Sequence, residues 1–201
     1  MTEYKPYKHQ QETIDFYRKN PRAYDSSDMG CGKTFCIIHD INYRLNSNFK
    51  SKTLILAPKS LLETVWKNDF EKFTPHIVTS VAKAPLQNKI DAFNREAHVY
   101  ITNMDTVKWL AKQPKSFWKG FETIVIDEST QIKNDSGRTK AALQIKDNFK
   151  YRRCLSGTPT AGPLTDLFYQ YYFLDGGYSL GSSYYAFKNK NDDIYSNRPR
   201  T

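Results

Sequence analysis

Two apolar runs, "TLILA" at 53–57 and "TIVID" at 123–127, most constrain what this chain can fold into. Neither alternates with polar residues, so each reads as a strand buried on both faces, which requires a parallel sheet covered by helices on both sides. "HIVTSV" (76–81), "HVYIT" (98–102) and "RRCLS" (152–156) supply further strands. Segments of helical period lie between them. Ile37, Ile38, Ile41 and Leu45 share one face, and Leu62, Val65, Trp66, Phe70 and Phe73 form a second stripe at i, i+3, i+4 spacing. "GRTKAALQI" and "PLTDLFYQYYFL" read as two more helices, and residues 182–201 as a closing helix running into a loose tail. The expected fold is a three-layer α/β domain with a mostly parallel central sheet and right-handed crossovers, a single unit over the 201 residues. One segment resists this scheme. "RAYDSS" stands where a strand should precede the first loop, and the sequence gives no reason for its polarity.

No apolar run approaches the length of a membrane span, and "MTEYKPYKHQ" carries no signal-peptide segment, so a cytoplasmic chain without membrane contact is expected, in a host's cytoplasm if viral. Cys31, Cys36 and Cys154 form no C-x-x-C pair, and the four histidines show no ligand spacing. The formal charge is +9, and seven of the basic residues (133, 138, 140, 146, 150, 152, 153) fall between Lys133 and Arg153 against Asp135 and Asp147. That concentration fits a polyanion-binding surface and a solvated face equally.

"SSDMGCGKTF" (26–35) lies between the polar candidate strand and a helix, where a phosphate-binding loop belongs, although Ser27 replaces the first glycine of G-x-x-x-x-G-K-[ST]. Gly30 and Gly32, with Cys31 between them, can take the positive φ that turns successive N–H groups toward an anion. Lys33 would reach the β- and γ-phosphates, and the Thr34 hydroxyl would bind Mg²⁺. "IVIDEST" ends a buried strand on two carboxylates, an expensive arrangement unless they meet a cation. Asp127 is expected to hold Mg²⁺ through water and Glu128 to orient the attacking water. A strand-end acidic turn capping the next helix is the alternative. In "LSGTPTAGPL" the hydroxyls of Ser156 and Thr158 stand at another strand end, where they can contact the carboxylates and a moving partner, although Ser-Gly-Thr-Pro is also a routine turn.

The order of these pieces resembles the first, RecA-like motor lobe of superfamily-two helicases, specifically the SWI/SNF-type DNA translocases, in a compact form like those of phages. "YKPYKHQQETIDF" resembles the family's Q motif, which implies that Gln10 reads the adenine edge of ATP. "SDMGCGKT" is similar to the family's own loop, A-x-x-G-x-G-K-T. "LILAPKSLLETVWKNDFEKF" resembles the motif after the second strand, with Pro58, Lys59, Ser60 and Trp66 in register, and "ITNMDTV" the next DNA-facing motif. The resemblance thereby implies nucleic-acid backbone contacts at Lys59, Ser60, Thr102 and Asn103, and duplex DNA bound without regard to sequence. "DESTQIKN" resembles the DEAH-box segment, "LSGTP" motif three, and "FLDGGYSLGSSYYAF" the stretch closing the lobe.

Two departures stand out. Thr130 replaces the box histidine that links nucleotide state to motif three, where Ser156 and Thr158 are its coupling partners. The chain also has no counterpart of the second lobe's Q-x-x-G-R-x-x-R motif, so the resemblance implies a second RecA-like lobe as partner. The leading expectation is the ATP-binding lobe of a DNA-dependent ATPase, weak or inactive by itself. A short non-motor module that binds ATP or DNA and regulates another process is the second reading. A P-loop small-molecule kinase would leave Gln10, "APKSLLETVW" and "SGTP" unexplained.

Overall fold

A computed structural model describes residues 4–160 and 162–196, so the expected loose tail at 197–201 lies outside the described residues. Six strands form one sheet: β1 Arg22–Asp25, β2 Lys52–Ala57, β3 Thr79–Ala82, β4 Val99–Asn103, β5 Phe121–Asp127 and β6 Tyr151–Leu155. Their spatial order is β1-β6-β5-β2-β4-β3, and every pairing is parallel. Eight α-helices accompany them among the described residues: α1 Lys8–Lys19, α2 Lys33–Ser47, α3 Asn68–Phe73, α4 Leu86–Asn94, α5 Val107–Leu110, α6 Gly137–Ile145, α7 Phe168–Asp175 and α8 Tyr184–Ser196.

The continuous apolar runs have the expected cause. Along β2, Leu54 and Leu56 enter one core while Ile55 and Ala57 enter the other; β5 divides Ile124 and Ile126 from Val125 in the same way. The second core holds α1, α2 and α3, with Ile37, Ile38, Ile41 and Leu45 buried on the expected face. The first holds α4 to α7 and a cluster of rings around Phe93, Trp118 and Phe121. Helices on both faces of a parallel sheet make the three-layer architecture expected from the sequence.

Three local expectations change. The run 76–81 is a strand only from Thr79, because Ile77 N–H donates back to Thr74 O in the turn that ends α3. The stripe 62–73 is helical but opens with a π-helical segment, Leu62–Lys67, before α3. Helix α4 was not legible in the sequence; it buries only Ala92 and Phe93, too short a stripe to mark a period.

β1 is polar because it is an edge strand, paired with β6 alone, and its side chains have polar work. Asp25 accepts the Tyr17 hydroxyl at 2.5 Å on one oxygen, and the Ser27 amide (3.0 Å) and hydroxyl (2.6 Å) on the other. Its neighbour Tyr24 donates to Gln170 Oε1 at 2.6 Å.

The basic segment 133–153 is not one charged face. Arg152 is buried, with Nη1 donating to Leu174 O at 2.9 Å at the C-terminal end of α7, where helix carbonyls lack partners. Arg153 is 0 % exposed and Asp40 of α2 only 1 %. Asp40 accepts Arg44 Nη2 at 2.9 Å on one oxygen and Arg153 Nη2 at 3.1 Å on the other. Both guanidinium groups also donate to Tyr17 O at 2.9 Å. Removing one member of a buried charge cluster strands the others, at a cost of about 3–5 kcal/mol. Asp40→Ala is therefore expected to lower the melting temperature by roughly 6–20 °C for a domain of this size. Asp135→Ala breaks an exposed pair with Lys140 and should shift melting little. Thermal denaturation followed by circular dichroism compares the two; equal melting of Asp40→Ala and the parent would show that the cluster does not hold α2 to β6.

Candidate nucleotide and nucleic-acid site

The carboxyl ends of parallel strands leave polar loops together at one edge of a sheet, the usual ligand position in open α/β folds. Here the loop after β1 runs straight into α2. Gly30 and Gly32 have φ of +84° and +83°, so both occupy the left-handed region that a side chain resists. Any side chain at position 32 would also collide with Gln10 Nε2. Gln10 sits in α1, accepts the Tyr7 amide at 3.0 Å and donates to Cys31 O at 3.2 Å; His9 Nε2 lies 3.2 Å from the same carbonyl. The first helix and the loop are thus one hydrogen-bonded unit.

Ser27, the departure from the common loop pattern, is where the loop is tied down, since Asp25 takes both its amide and its hydroxyl. Lys33 Nζ curls over the loop and donates to Ser27 O at 2.6 Å and Asp28 O at 2.9 Å. Thr34 follows in the first turn of α2, whose N-terminus adds positive potential at the same place.

The carboxylate strand ends next to this loop. Asp127 accepts Trp66 Nε1 at 2.9 Å and its neighbour Glu128's amide at 3.1 Å. Burial pushes the Asp127 carboxyl above the usual range, opposed by the Trp66 hydrogen bond and by the charge of Lys33. A partly desolvated carboxylate facing a lysine suits a hard cation. Asp127 and the Thr34 hydroxyl are oxygen donors of the type Mg²⁺ takes. Glu128 has φ 54°, the one non-glycine residue with positive φ among the described residues, a conformation costing about 1–3 kcal/mol that is commonest at functional sites.

The Ser-Gly-Thr-Pro loop after β6 closes the third side, in a different way from the one expected. Ser156 is buried and its hydroxyl accepts the Thr158 amide at 3.2 Å, so it shapes its own turn rather than reaching the carboxylates. Gly157 makes the approach: a Cβ there would stand 3.2 Å from Met29 Cγ and 3.8 Å from Lys33 Nζ.

The link between the carboxylate box and this loop was missed in the sequence. Buried Gln170 of α7 accepts the hydroxyls of Tyr24 and Ser129, each at 2.6 Å. Its amide donates to Pro159 O at 3.0 Å and Asp166 O at 2.8 Å. One side chain therefore joins β1, the box and the Ser-Gly-Thr-Pro loop, and Ser129 rather than Thr130 makes the connection. The signal was present as a single amide among the aromatics of "FYQYYF", since a glutamine on a buried face needs partners.

Further along the same edge, Ala57, Pro58, Lys59, Ser60, Asn103, Asp105 and Arg138 line a cleft of about 510 Å³. Lys59 is exposed, and Ser60 is exposed beside it. Thr102 must be withdrawn from the expected nucleic-acid contacts. It is fully buried, and its hydroxyl donates to Ala82 O at 2.8 Å. Asn103 lies behind Asp105, donating to its Oδ2 at 3.0 Å.

The profile of the SNF2-related domain matches residues 25–194, from the β1 carboxylate into α8. The chain belongs to the SNF2-related family. An uncharacterized ATP-dependent helicase of Mycoplasma pneumoniae is 36% identical over 149 residues, which cover 71% of this chain and 14% of that protein. Putative protein p41 of Acyrthosiphon pisum secondary endosymbiont phage 1 is 31% identical over 198 residues, 92% of this chain and 42% of its own length. Among solved structures, the Sulfolobus solfataricus SWI2/SNF2 ATPase core in complex with dsDNA superposes with a TM-score of 0.80 at 25% identity, over 99% of this chain and 43% of that one. The chain thus spans less than half the length of these relatives. The sheet with its flanking helices has the RecA-like fold of the SWI2/SNF2 ATPase core. No helix among the described residues is long and apolar enough to cross a membrane.

Proposed function

We propose that this chain is the ATP-binding lobe of a DNA-dependent ATPase of the helicase and translocase class, working in the cytoplasm with a second RecA-like lobe as its partner. The observation that carries the reading is the convergence on Lys33. Its ammonium group lies over the glycine loop, faces the Asp127 charge and is closely approached by Gly157. Three loops distant in sequence thus meet where triphosphate charge would be bound. Gln10, held against the loop, is suited to read the adenine edge, and the amides of Gly30, Cys31 and Gly32 to bind the phosphates. Thr34 and Asp127 would hold Mg²⁺, which supplies charge neutralisation on the phosphates. Glu128 is placed in this proposal to orient the attacking water, and the Ser129–Gln170–Pro159 path, with Thr130 beside it, to relay the state of the site to Thr158 at the surface.

The nucleic-acid surface is the cleft with Lys59, Ser60 and Asn103. Its exposed cation favours backbone phosphates, which carry no sequence code. The SWI2/SNF2 core that this chain resembles was solved with dsDNA, which supports duplex as the substrate. Binding to duplex DNA is expected to be weak, indifferent to sequence and steeply weakened by salt through counterion release. Fluorescence anisotropy with two unrelated duplexes over a salt series checks this. A tight, salt-insensitive preference for one sequence would contradict it.

A further inference from the structure

The cation at the mouth of the nucleic-acid cleft is not alone, and it is not free. Asp105, in the 3₁₀ turn after β4, stands between two basic side chains from different parts of the chain. Lys59 Nζ lies 3.1 Å from its Oδ2, and Arg138 Nη2, from α6, lies 2.6 Å from its Oδ1. Asn103 Nδ2 steadies the same carboxylate at 3.0 Å. All three charged groups remain solvent-accessible, with side-chain exposures of 74%, 47% and 38% for Lys59, Asp105 and Arg138. The other basic residues of the 133–153 segment are differently engaged. Lys133 pairs with Asp166, Lys140 with Asp135 and Lys146 with Asp147, Arg152 and Arg153 are buried, and Lys150 lies over the Tyr151 ring. Arg138 is the member of that segment that lines the cleft.

A carboxylate offering one oxygen to each of two cations has the same valence as a phosphodiester, whose two non-bridging oxygens also sit on one atom. We propose that Lys59 and Arg138 form a two-cation seat for one backbone phosphate of a nucleic acid, and that Asp105 occupies this seat as a built-in competitor. This rests on the nucleic-acid part of the proposed function and adds to it a second phosphate ligand and a brake. The phosphate displaces the Asp105 carboxylate from both cations, and the acid then swings to solvent. Exposed ion pairs are individually weak, so the brake is modest and reversible. It suits a lobe that must release and retake DNA, where a permanently open seat would hold on.

The test is duplex DNA binding by the whole chain, measured by anisotropy over a salt series. Asp105→Asn removes the competitor while keeping the side chain's size. It is expected to tighten binding by about two- to thirtyfold, the range set by losing two exposed ion pairs from the free state. The slope of log affinity against log salt should change little, because the same phosphate is neutralised in both complexes. Arg138→Gln should weaken binding, and Asp105→Asn combined with Arg138→Gln should keep little of the gain, because the two residues share one seat. Asp91→Asn on α4 adds the same unit of net charge away from the cleft and should change little. If Asp105→Asn leaves affinity unchanged or lowers it, or if Asp91→Asn tightens binding equally, the seat is overturned while the nucleic-acid reading stands. If neither parent nor Asp105→Asn binds DNA at the lowest salt, the nucleic-acid reading falls and the seat falls with it.

Discussion

Provided with a second RecA-like lobe, this chain is expected to hydrolyse ATP about 10³–10⁵ times faster than it does alone, the factor a supplied arginine finger confers. Phosphoryl transfer gathers negative charge on the γ-phosphate oxygens, and Lys33 answers only part of it. The arginines closest in sequence to the Ser-Gly-Thr-Pro loop cannot supply the rest. Arg153 is tied to Asp40 inside the protein, and Arg152 is spent on carbonyls at the end of α7. Neither can turn toward the phosphates without leaving buried carboxylate or carbonyl groups unpaired. Steady-state turnover, with and without duplex DNA, should therefore be slow for residues 1–201 and rise when a second lobe is added in trans or in a longer product of the same gene. Glu128→Gln should remove that gain, because the charge that orients the water is lost while the binding loop is untouched. Rapid DNA-stimulated hydrolysis by the chain alone, independent of protein concentration, would contradict the two-lobe account. A steep rise with concentration would instead show copies of the chain completing each other's sites.

What could be read in advance divides along physical lines. β2 and β5 were legible because strands buried on both faces carry aliphatic residues at successive positions, 54–56 and 124–126, and the α2 stripe because its four aliphatic residues meet one core. The glycine loop was legible because positive φ at Gly30 and Gly32 restricts the residue type. β1 was not, since its polarity answers partners far along the chain: Tyr24 meets Gln170 and Ser129, residues known to be near only once the sheet is ordered. Charge was the least legible quantity. Arg152, Arg153 and Arg138 look alike in a basic segment, yet two are buried and the third faces the cleft. Thr102 misled for a related reason. The main chain and side chain at a strand end can face solvent or be covered by a neighbouring element, and here Thr102 is fully buried with its hydroxyl on Ala82 O. Asp25 and Ser27 show the converse case, in which a departure from a loop pattern supplies the anchor that ties the loop to β1.

The central claim is that the loop around Lys33 binds Mg-ATP, and the lysine separates binding from folding. Its ammonium group touches only loop carbonyls, Ser27 O at 2.6 Å and Asp28 O at 2.9 Å, so it holds no core together. Lys33→Ala should consequently melt within a few degrees of the parent, as replacement of a side chain outside the core usually costs less than about 0.5 kcal/mol. Its loss should nevertheless remove the side-chain cation that, among the described residues, faces the loop and Asp127 together, leaving the triphosphate charge to backbone amides. Calorimetric titration of ATP with Mg²⁺ into both proteins is the most direct measurement. The account predicts saturable binding by the parent and none detectable in Lys33→Ala at the same concentrations, with unchanged thermal stability. Equal affinity in the two proteins, both folded, would contradict it.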